Sequence, residues 1–182
     1  SQETSGSMAN REALRELQTR LASRLQAAKA EGANVSSWLA VETAGERYLL
    51  PLGHAGEIFP WAGVQAVPYT HPWFLGVANL RGSLMGVVDL GGLLGSAVTR
   101  TEQNLVDSSL LALNPVLEVN SALLVDKLLG LRGTDAFISS EAPGETAPDY
   151  FGTRYTDAQG ALWQELNLQV MSQSPVFLSI GV

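Results

Sequence analysis

The residues most able to do chemistry at neutral pH are two histidines, His54 and His71, because imidazole titrates at about pH 6.5 and binds metal ions. His54 follows a glycine and His71 precedes a proline, and such neighbours are typical of turns and loops. Neither histidine belongs to a recognisable metal-binding motif. We therefore interpret both as turn or surface residues, and we predict neither a metal site nor a cofactor.

Three carboxylates, Glu57, Asp89 and Asp126, stand within apolar segments that are predicted to be strands. A carboxylate in such a position more often accepts backbone hydrogen bonds than performs acid–base catalysis. The chain also lacks the G-x-S-x-G, G-x-x-x-x-G-K-[ST] and G-x-G-x-x-G motifs of common hydrolases and nucleotide-binding proteins. The prediction is a protein that is not an enzyme.

One alternative stays open at this point, a small-molecule-binding or hydrolytic β-barrel protein that uses a groove between two lobes. Asp89, His54 and His71 would supply the polar groups of that groove. The alternative requires these three side chains to converge in one deep pocket.

The composition restricts the partners and the compartment. The 182 residues include 18 acidic and 11 basic side chains, and the resulting net charge of −7 would repel nucleic acids and anionic lipid surfaces. The absence of cysteine excludes disulfides and thiolate chemistry and fits a reducing compartment. No apolar run reaches the length of about 18 residues that a membrane span needs, so we expect a cytoplasmic protein without direct membrane insertion.

The N-terminal region is predicted to be a flexible tail over residues 1–9, followed by an amphipathic helix over residues 10–32. Asn10 can cap the start of this helix and Gly32 can end it. Apolar side chains recur at three- and four-residue steps on one face, at Leu14, Leu17, Leu21, Leu25 and Ala28. The sequence leaves open whether this face docks on its own domain or on a partner.

After Gly32 the sequence consists of short segments typical of β-strands, separated by turn-forming residues at intervals of about ten residues. A first hairpin is predicted from Ser37–Thr43 and Glu46–Leu52 around an Ala44-Gly45 turn. A second hairpin is predicted within Phe74–Leu94, around the turn Arg81-Gly82-Ser83. Prolines between the two hairpins restrict any strand there to a short or edge position.

The second half of the chain contains further strand-like segments, at Ser108–Leu113, Ser121–Leu131, Arg154–Thr156 and Ala161–Leu166. Ser139–Gly152 is predicted to be a surface loop, and a short helix is predicted over Leu166–Met171. Many short strands with few helices favour an all-β fold of two small barrels. We place the barrels in one domain, residues 36–171, with the change of lobe near 95–107 and a C-terminal segment over 172–182.

The segment Trp73–Leu90 contains the motifs GVANLRG and VVDL and resembles the signature of CheW-like domains. Upstream, Glu46–Leu52, Glu57-Ile58 and Val67-Pro68 are similar to further elements of that family, and downstream Ala122–Leu128 is similar to another. The resemblance extends from about Trp38 to Met171. Three features most resemble family members associated with twitching motility by type IV pili. They are the segment PWFLGVANLRG, the helical N-terminal extension and the FLSIG segment near the C-terminus.

The resemblance implies two five-stranded β-barrels that share a hydrophobic core. It also implies a non-catalytic cytoplasmic adaptor that is recruited to membrane-associated receptor arrays. Such an adaptor joins the cytoplasmic tip of a methyl-accepting chemoreceptor to the regulatory domain of a CheA-like histidine kinase. By position, Leu52, Ala55 and Glu57 correspond to the kinase-binding residues of the family. Asn79 and Arg81, in the NLRG turn, correspond to its receptor-binding residues.

Overall fold

The computed structural model describes residues 2–30, 37–96 and 99–178. A long N-terminal helix precedes strands and short helices, and two single turns of 3-10 helix lie at Pro115–Leu117 and Thr134–Ala136. The helices are α1 (Gln2–Ala30), α2 (Leu90–Leu93), α3 (Glu102–Val106), α4 (Leu168–Gln173) and α5 (Pro175–Leu178). The strands are β1 (Ser37–Thr43), β2 (Glu46–Pro51), β3 (Ala55–Pro60), β4 (Phe74–Leu80), β5 (Ser83–Asp89), β6 (Ser109–Leu113), β7 (Ser121–Val125), β8 (Lys127–Gly133), β9 (Phe137–Glu141), β10 (Phe151–Asp157) and β11 (Leu162–Leu166).

Both predicted hairpins are confirmed. Ala44 and Gly45 connect β1 to β2 with φ angles of 51° and 78°, and Arg81 and Gly82 connect β4 to β5 with φ angles of 50° and 81°. Two consecutive left-handed residues form the turn whose twist matches that of paired strands. Each turn therefore fixes the register of its hairpin locally.

The strands form two sheets rather than the predicted pair of five-stranded barrels. The six-stranded sheet has the order β8-β1-β2-β11-β10-β9, and the five-stranded sheet has the order β3-β6-β7-β5-β4. The prediction of closed barrels was wrong, because the end strands of each sheet do not pair with one another within the described residues. The mostly β architecture and the N-terminal helix are confirmed.

Each sheet contains strands from before and after residues 95–107. The six-stranded sheet joins the first hairpin to β8 and to the strands β9–β11, and its β2–β11 contact is parallel. The five-stranded sheet joins the second hairpin and β3 to β6 and β7, and its β5–β7 contact is parallel. The two halves of the sequence are therefore interleaved in space.

Several elements differ from the predicted outline. The strand β9 includes the start of the segment predicted as a loop from Ser139. Its side chains are mostly exposed and show no apolar alternation, so the sequence pattern does not indicate a strand there. The helix α3 lies where the sequence analysis expects the change of lobe, near residues 95–107, and it begins with a capping box between Thr101 and Asn104. The C-terminal helix α4 begins at Leu168, where Asn167 accepts a hydrogen bond from the amide of Val170.

The helix α1 packs on its own domain, through the stripe of leucines that the sequence analysis singled out. Leu21 and Leu25 are 2% and 0% exposed in the main core, and the partly buried Leu17 and Ala28 pack against that core. Gln18 Nε2 donates a buried hydrogen bond of 2.9 Å to Ser109 Oγ, so the helix is also held by a polar contact. The helix begins at Gln2 rather than Asn10, and Gly32 lies outside the described residues.

The core has three parts because the sheets are apolar on both faces. The main cluster lies between α1 and the two sheets and includes Leu39, Leu50 and Leu123. Because side chains alternate along a strand, the neighbours Trp38 and Ala40 belong to a separate cluster on the other face of the six-stranded sheet. A third cluster lies on the other face of the five-stranded sheet.

Candidate interaction site

Glu57 and Arg81 form an ion pair on the surface. Glu57 lies on β3 and Arg81 in the β4–β5 turn, and Arg81 Nη1 lies 2.8 Å from Glu57 Oε2. The side chains are 44% and 75% exposed, respectively. The guanidinium carbon also lies 5.8 Å from the centre of the Phe59 ring, which supports the arginine from one side.

The β4–β5 turn determines where Arg81 points. Asn79 Oδ1 accepts a hydrogen bond of 2.9 Å from the amide of Gly82, which closes the turn. Arg81 itself is in the left-handed conformation, which is uncommon for a residue with a side chain. Asn79 thus shapes the turn that presents Arg81 to solvent.

The other two residues predicted at the kinase-binding surface are buried. Leu52 is 8% exposed and Ala55 is 0% exposed, and both belong to the main core. Ala55 pairs with Leu113 at the start of β3, so these two residues position the strand that carries Glu57. The structure therefore brings Glu57 and Arg81 together at the surface and buries Leu52 and Ala55 in the main core.

Three adjoining cavities lie along α1, two of them beside this ion pair, and together we call them the α1 groove. The largest has a volume of about 870 Å³ and lies between α1, β3 and Arg81. The second, of about 420 Å³, shares with it the residues Gln26, Gly56, Glu57 and Arg81. The third, of about 210 Å³, lies towards the N-terminus of α1 and shares Arg15, Gln18 and Pro60 with the largest.

A buried arginine, Arg100, connects the ends of several strands. It makes two hydrogen bonds to Asp89, from Nε to Oδ2 at 2.5 Å and from Nη2 to Oδ1 at 2.8 Å. Its Nη1 also donates to Asp126 Oδ1, and its Nη2 lies 3.4 Å from Thr43 Oγ1. Asp126 in turn accepts a hydrogen bond from the amide of Ala44, in the first hairpin turn.

This network accounts for the buried carboxylate of Asp89 and the partly buried carboxylate of Asp126. Burial would lower the pKa of the Arg100 guanidinium, but its hydrogen bonds to Asp89 and Asp126 outweigh this effect and raise that pKa above its usual value. Asp89 also accepts a hydrogen bond from Gly92, at the start of α2. The structural interpretation of Asp89 and Asp126 is thus supported, whereas Arg100 was missed in a stretch that looks like a polar connector.

The residues of the alternative ligand-binding pocket have separate local roles. Asp89 is paired with Arg100, and the ring of His71 stacks on Trp73 at a centroid distance of 5.1 Å. In the part of the chain that the structure describes, the Nδ1 atom of His54 is buried without a hydrogen-bond partner, and burial lowers the pKa of this histidine although the nearby Glu165 opposes the shift. None of the three lines the α1 groove.

Two further features bear on the kind of site. Across residues 2–30, 37–96 and 99–178, no group of three or more acidic or histidine side chains is arranged to hold a metal ion. Among the helices of these residues, none combines the length and the apolar character that crossing a bilayer requires.

Comparison with known proteins identifies similar sequences and a similar fold. The family model for the CheW-like domain matches residues 37–175. Protein PilI of Pseudomonas aeruginosa is 27% identical over 157 residues, and the match covers 81% of this chain and 83% of PilI. The crystal structure of the scaffolding protein TtCheW from Thermoanaerobacter tengcongensis superposes with a TM-score of 0.64 at 18% identity, covering 78% of this chain and 95% of TtCheW. The helix α1 precedes the residues that the family model matches.

Proposed function

Because the chain belongs to the CheW-like domain family, we propose that it is a non-catalytic adaptor that couples a methyl-accepting chemoreceptor to a CheA-like histidine kinase. The observation that carries the proposal is the exposed Glu57–Arg81 ion pair, which is built from two of the elements that resemble the family and lies beside open grooves. An exposed arginine held by a tight turn can bind a carboxylate of a partner with its planar array of donors.

The two partner surfaces adjoin at this ion pair. The kinase surface contains Leu52, Ala55 and Glu57, with the two buried residues fixing the position of β3 and Glu57 making the polar contact. The receptor surface contains Asn79 and Arg81, with Asn79 holding the turn and Arg81 making the contact. Since Glu57 and Arg81 touch, binding at one surface changes the charge and the geometry that the other partner meets.

The adaptor role requires no reaction. The carboxylate of Asp89 is neutralised by Arg100 and is 6% exposed, so a catalytic use would require breaking a buried ion pair. The coupling instead follows from docking: two preformed surfaces hold the kinase and the receptor in a fixed relative geometry, so that a change in the receptor biases the activity of the kinase.

We also propose that the pathway controls twitching motility by type IV pili. The support is the 27% identity with PilI, together with the sequence elements that resemble the twitching-associated members of the family. The protein would then work in the cytoplasm, at receptor arrays on the membrane.

Binding measurements with separately purified partners test this function. Isothermal titration calorimetry of the full chain is carried out with the regulatory domain of the CheA-like kinase and with the cytoplasmic fragment of the chemoreceptor, both from the same organism. We expect a saturable interaction with each partner. Binding of the receptor alone would indicate a scaffold that does not engage a kinase, and binding of neither would refute the proposal.

A further inference from the structure

We infer that the α1 groove binds an acidic helical segment of the receptor's cytoplasmic tip, with Arg11 and Arg15 of α1 as charged anchors. This inference rests on the proposed function, and it extends the receptor surface onto a helix that precedes the matched CheW-like domain. The charge, the length and the shape of the groove each suit such an occupant.

The charge of the groove is opposite to that of the protein as a whole. The charged side chains that line the three cavities are Arg11, Arg15, Glu57 and Arg81. Glu57 and Arg81 neutralise each other, so the two arginines of α1 leave the groove basic. The whole chain has 18 acidic and 11 basic residues, so this groove stands out as a site where an acidic partner is attracted rather than repelled.

The length of the groove suits a helix. Its lining extends along α1 from Arg11 to Gln26, which corresponds to about 22 Å at the rise of an α-helix. An occupant of about four helical turns would span this distance. Acidic side chains one turn apart on the occupant would then face Arg11 and Arg15, which are also one turn apart.

The shape of the groove suits a helix as well. The residues of α1 that face it include Thr19, Ala22 and Ser23, whose small side chains let a second helix approach closely. Gly56 and Ile58 of β3 line it from the side of the sheet. The occupant would therefore lie between α1 on one side and the β4–β5 turn on the other.

The wall formed by α1 is already in place before any partner binds. Leu21 and Leu25 are buried in the core, and the buried hydrogen bond from Gln18 to Ser109 fixes the rotation of the helix. Arg15 and Thr19 are consequently exposed on the groove side. A preformed wall reduces the entropy that binding must overcome.

Charge reversal on α1 tests the inference with a matched control. The double variant Arg11→Glu/Arg15→Glu reverses two charges in the lining of the α1 groove. The control, Arg20→Glu/Arg24→Glu, reverses two charges at exposed positions of α1 that do not line the groove. Calorimetry with the cytoplasmic receptor fragment is expected to show a dissociation constant about tenfold higher for the groove variant. The control variant should stay within about twofold of the original chain.

A second measurement locates the receptor without changing the charge of the groove. Because the chain has no cysteine, Thr19→Cys can be labelled at one site with an environment-sensitive fluorophore, and Ala27→Cys provides an exposed site on α1 outside the groove lining. Addition of the receptor fragment should shift the emission of the label at position 19 and leave that at position 27 unchanged.

The outcomes separate this inference from the proposed function. If the receptor binds the original chain and both charge variants equally, or shifts neither label, the groove assignment is overturned while the adaptor role stands. If the receptor does not bind the original chain at all, both are overturned. The groove assignment is supported if receptor binding is weakened only in the Arg11→Glu/Arg15→Glu variant and the emission shifts only for the label at position 19.

Discussion

Arg81 Nη1 lies 2.8 Å from Glu57 Oε2, and this contact joins the tip of one hairpin to the edge strand of the same sheet. Both side chains are exposed to solvent, at 75% for Arg81 and 44% for Glu57, so the pair contributes little to the stability of the fold. Its exposed position beside the α1 groove makes it suited to recognition.

Exchanging the two charges separates recognition from stability. The single variants Glu57→Arg and Arg81→Glu should each change the free energy of unfolding by less than about 1 kcal/mol, because the pair is exposed. Each should weaken binding of the kinase domain or of the receptor fragment by about 1–2 kcal/mol. Urea denaturation and calorimetry measure the two effects.

The double variant Glu57→Arg/Arg81→Glu is the control for this prediction. It restores the ion pair with the charges exchanged, so its stability should return to that of the original chain. Binding should not return, because each partner would now meet a charge of the wrong sign. Unchanged binding in both single variants would contradict the assignment of these residues to the partner surfaces.

Arg100 is expected to matter for stability rather than for binding. Replacing it by methionine leaves the buried carboxylate of Asp89 and the partly buried carboxylate of Asp126 without their cation. We expect a loss of about 3 kcal/mol or more in the free energy of unfolding, measured by urea denaturation. Arg154→Met, at an exposed position, removes the same charge and should change it by no more than about 0.5 kcal/mol. Equal effects of the two substitutions would show that the network is unimportant.

Gly76 is the residue of the GVANLRG signature whose replacement should be most damaging to the fold. Its φ angle is 141°, and a methyl group there would overlap the backbone oxygen of Gln65, to which Val77 is bridged. Gly76→Ala should lower the free energy of unfolding by about 2 kcal/mol or more. Gly144→Ala is the matched control, since nothing lies within 4 Å of its added methyl group. A thermal shift that is the same for both variants would argue against the close approach at Gly76.

His54 should make the stability depend on pH. Burial lowers its pKa in the folded state, so as the pH falls the unfolded chain takes up the proton first. The contribution is therefore complete above about pH 6.5 and is lost as the pH falls below that value. Urea denaturation at pH 7.5 and pH 5.5 should show a decrease that is smaller in the His54→Gln variant.

The other histidine provides the comparison for this titration. His71→Gln removes the ring that stacks on Trp73 and should retain the pH dependence that His54 confers. If the pH dependence of the stability were abolished in His71→Gln but not in His54→Gln, the burial of His54 would not be the cause of that pH dependence.

Local signals in the sequence predicted the hairpins correctly, whereas the order of the strands required the structure. Ala44-Gly45 and Arg81-Gly82 are adjacent residues whose turn geometry fixes the pairing beside them. The parallel contact of β2 with β11, between Tyr48 and Gln164, joins distant parts of the chain and has no local signature. The failure of the sheets to close into barrels depends on such distant contacts.

The sequence predicted which residues belong to the candidate site, but it did not predict how they are arranged in space. The family resemblance assigned Glu57 and Arg81 to separate partner surfaces, and their contact depends on how β3 is positioned in the sheet. Arg100 could have been suspected from Asp89 and Asp126, because a buried carboxylate needs a compensating charge. Nothing in the sequence indicated which of the arginines would supply it.

The most direct test of the adaptor role is reconstitution of kinase control. The chemoreceptor in lipid vesicles and the CheA-like kinase are combined with and without this chain, and autophosphorylation of the kinase is measured before and after addition of the receptor's stimulus. We expect the stimulus to change the rate of autophosphorylation only when the chain is present, and we expect Arg81→Glu to diminish this change. A response of the kinase to the stimulus that has the same size with and without the chain would show that the chain is not the adaptor.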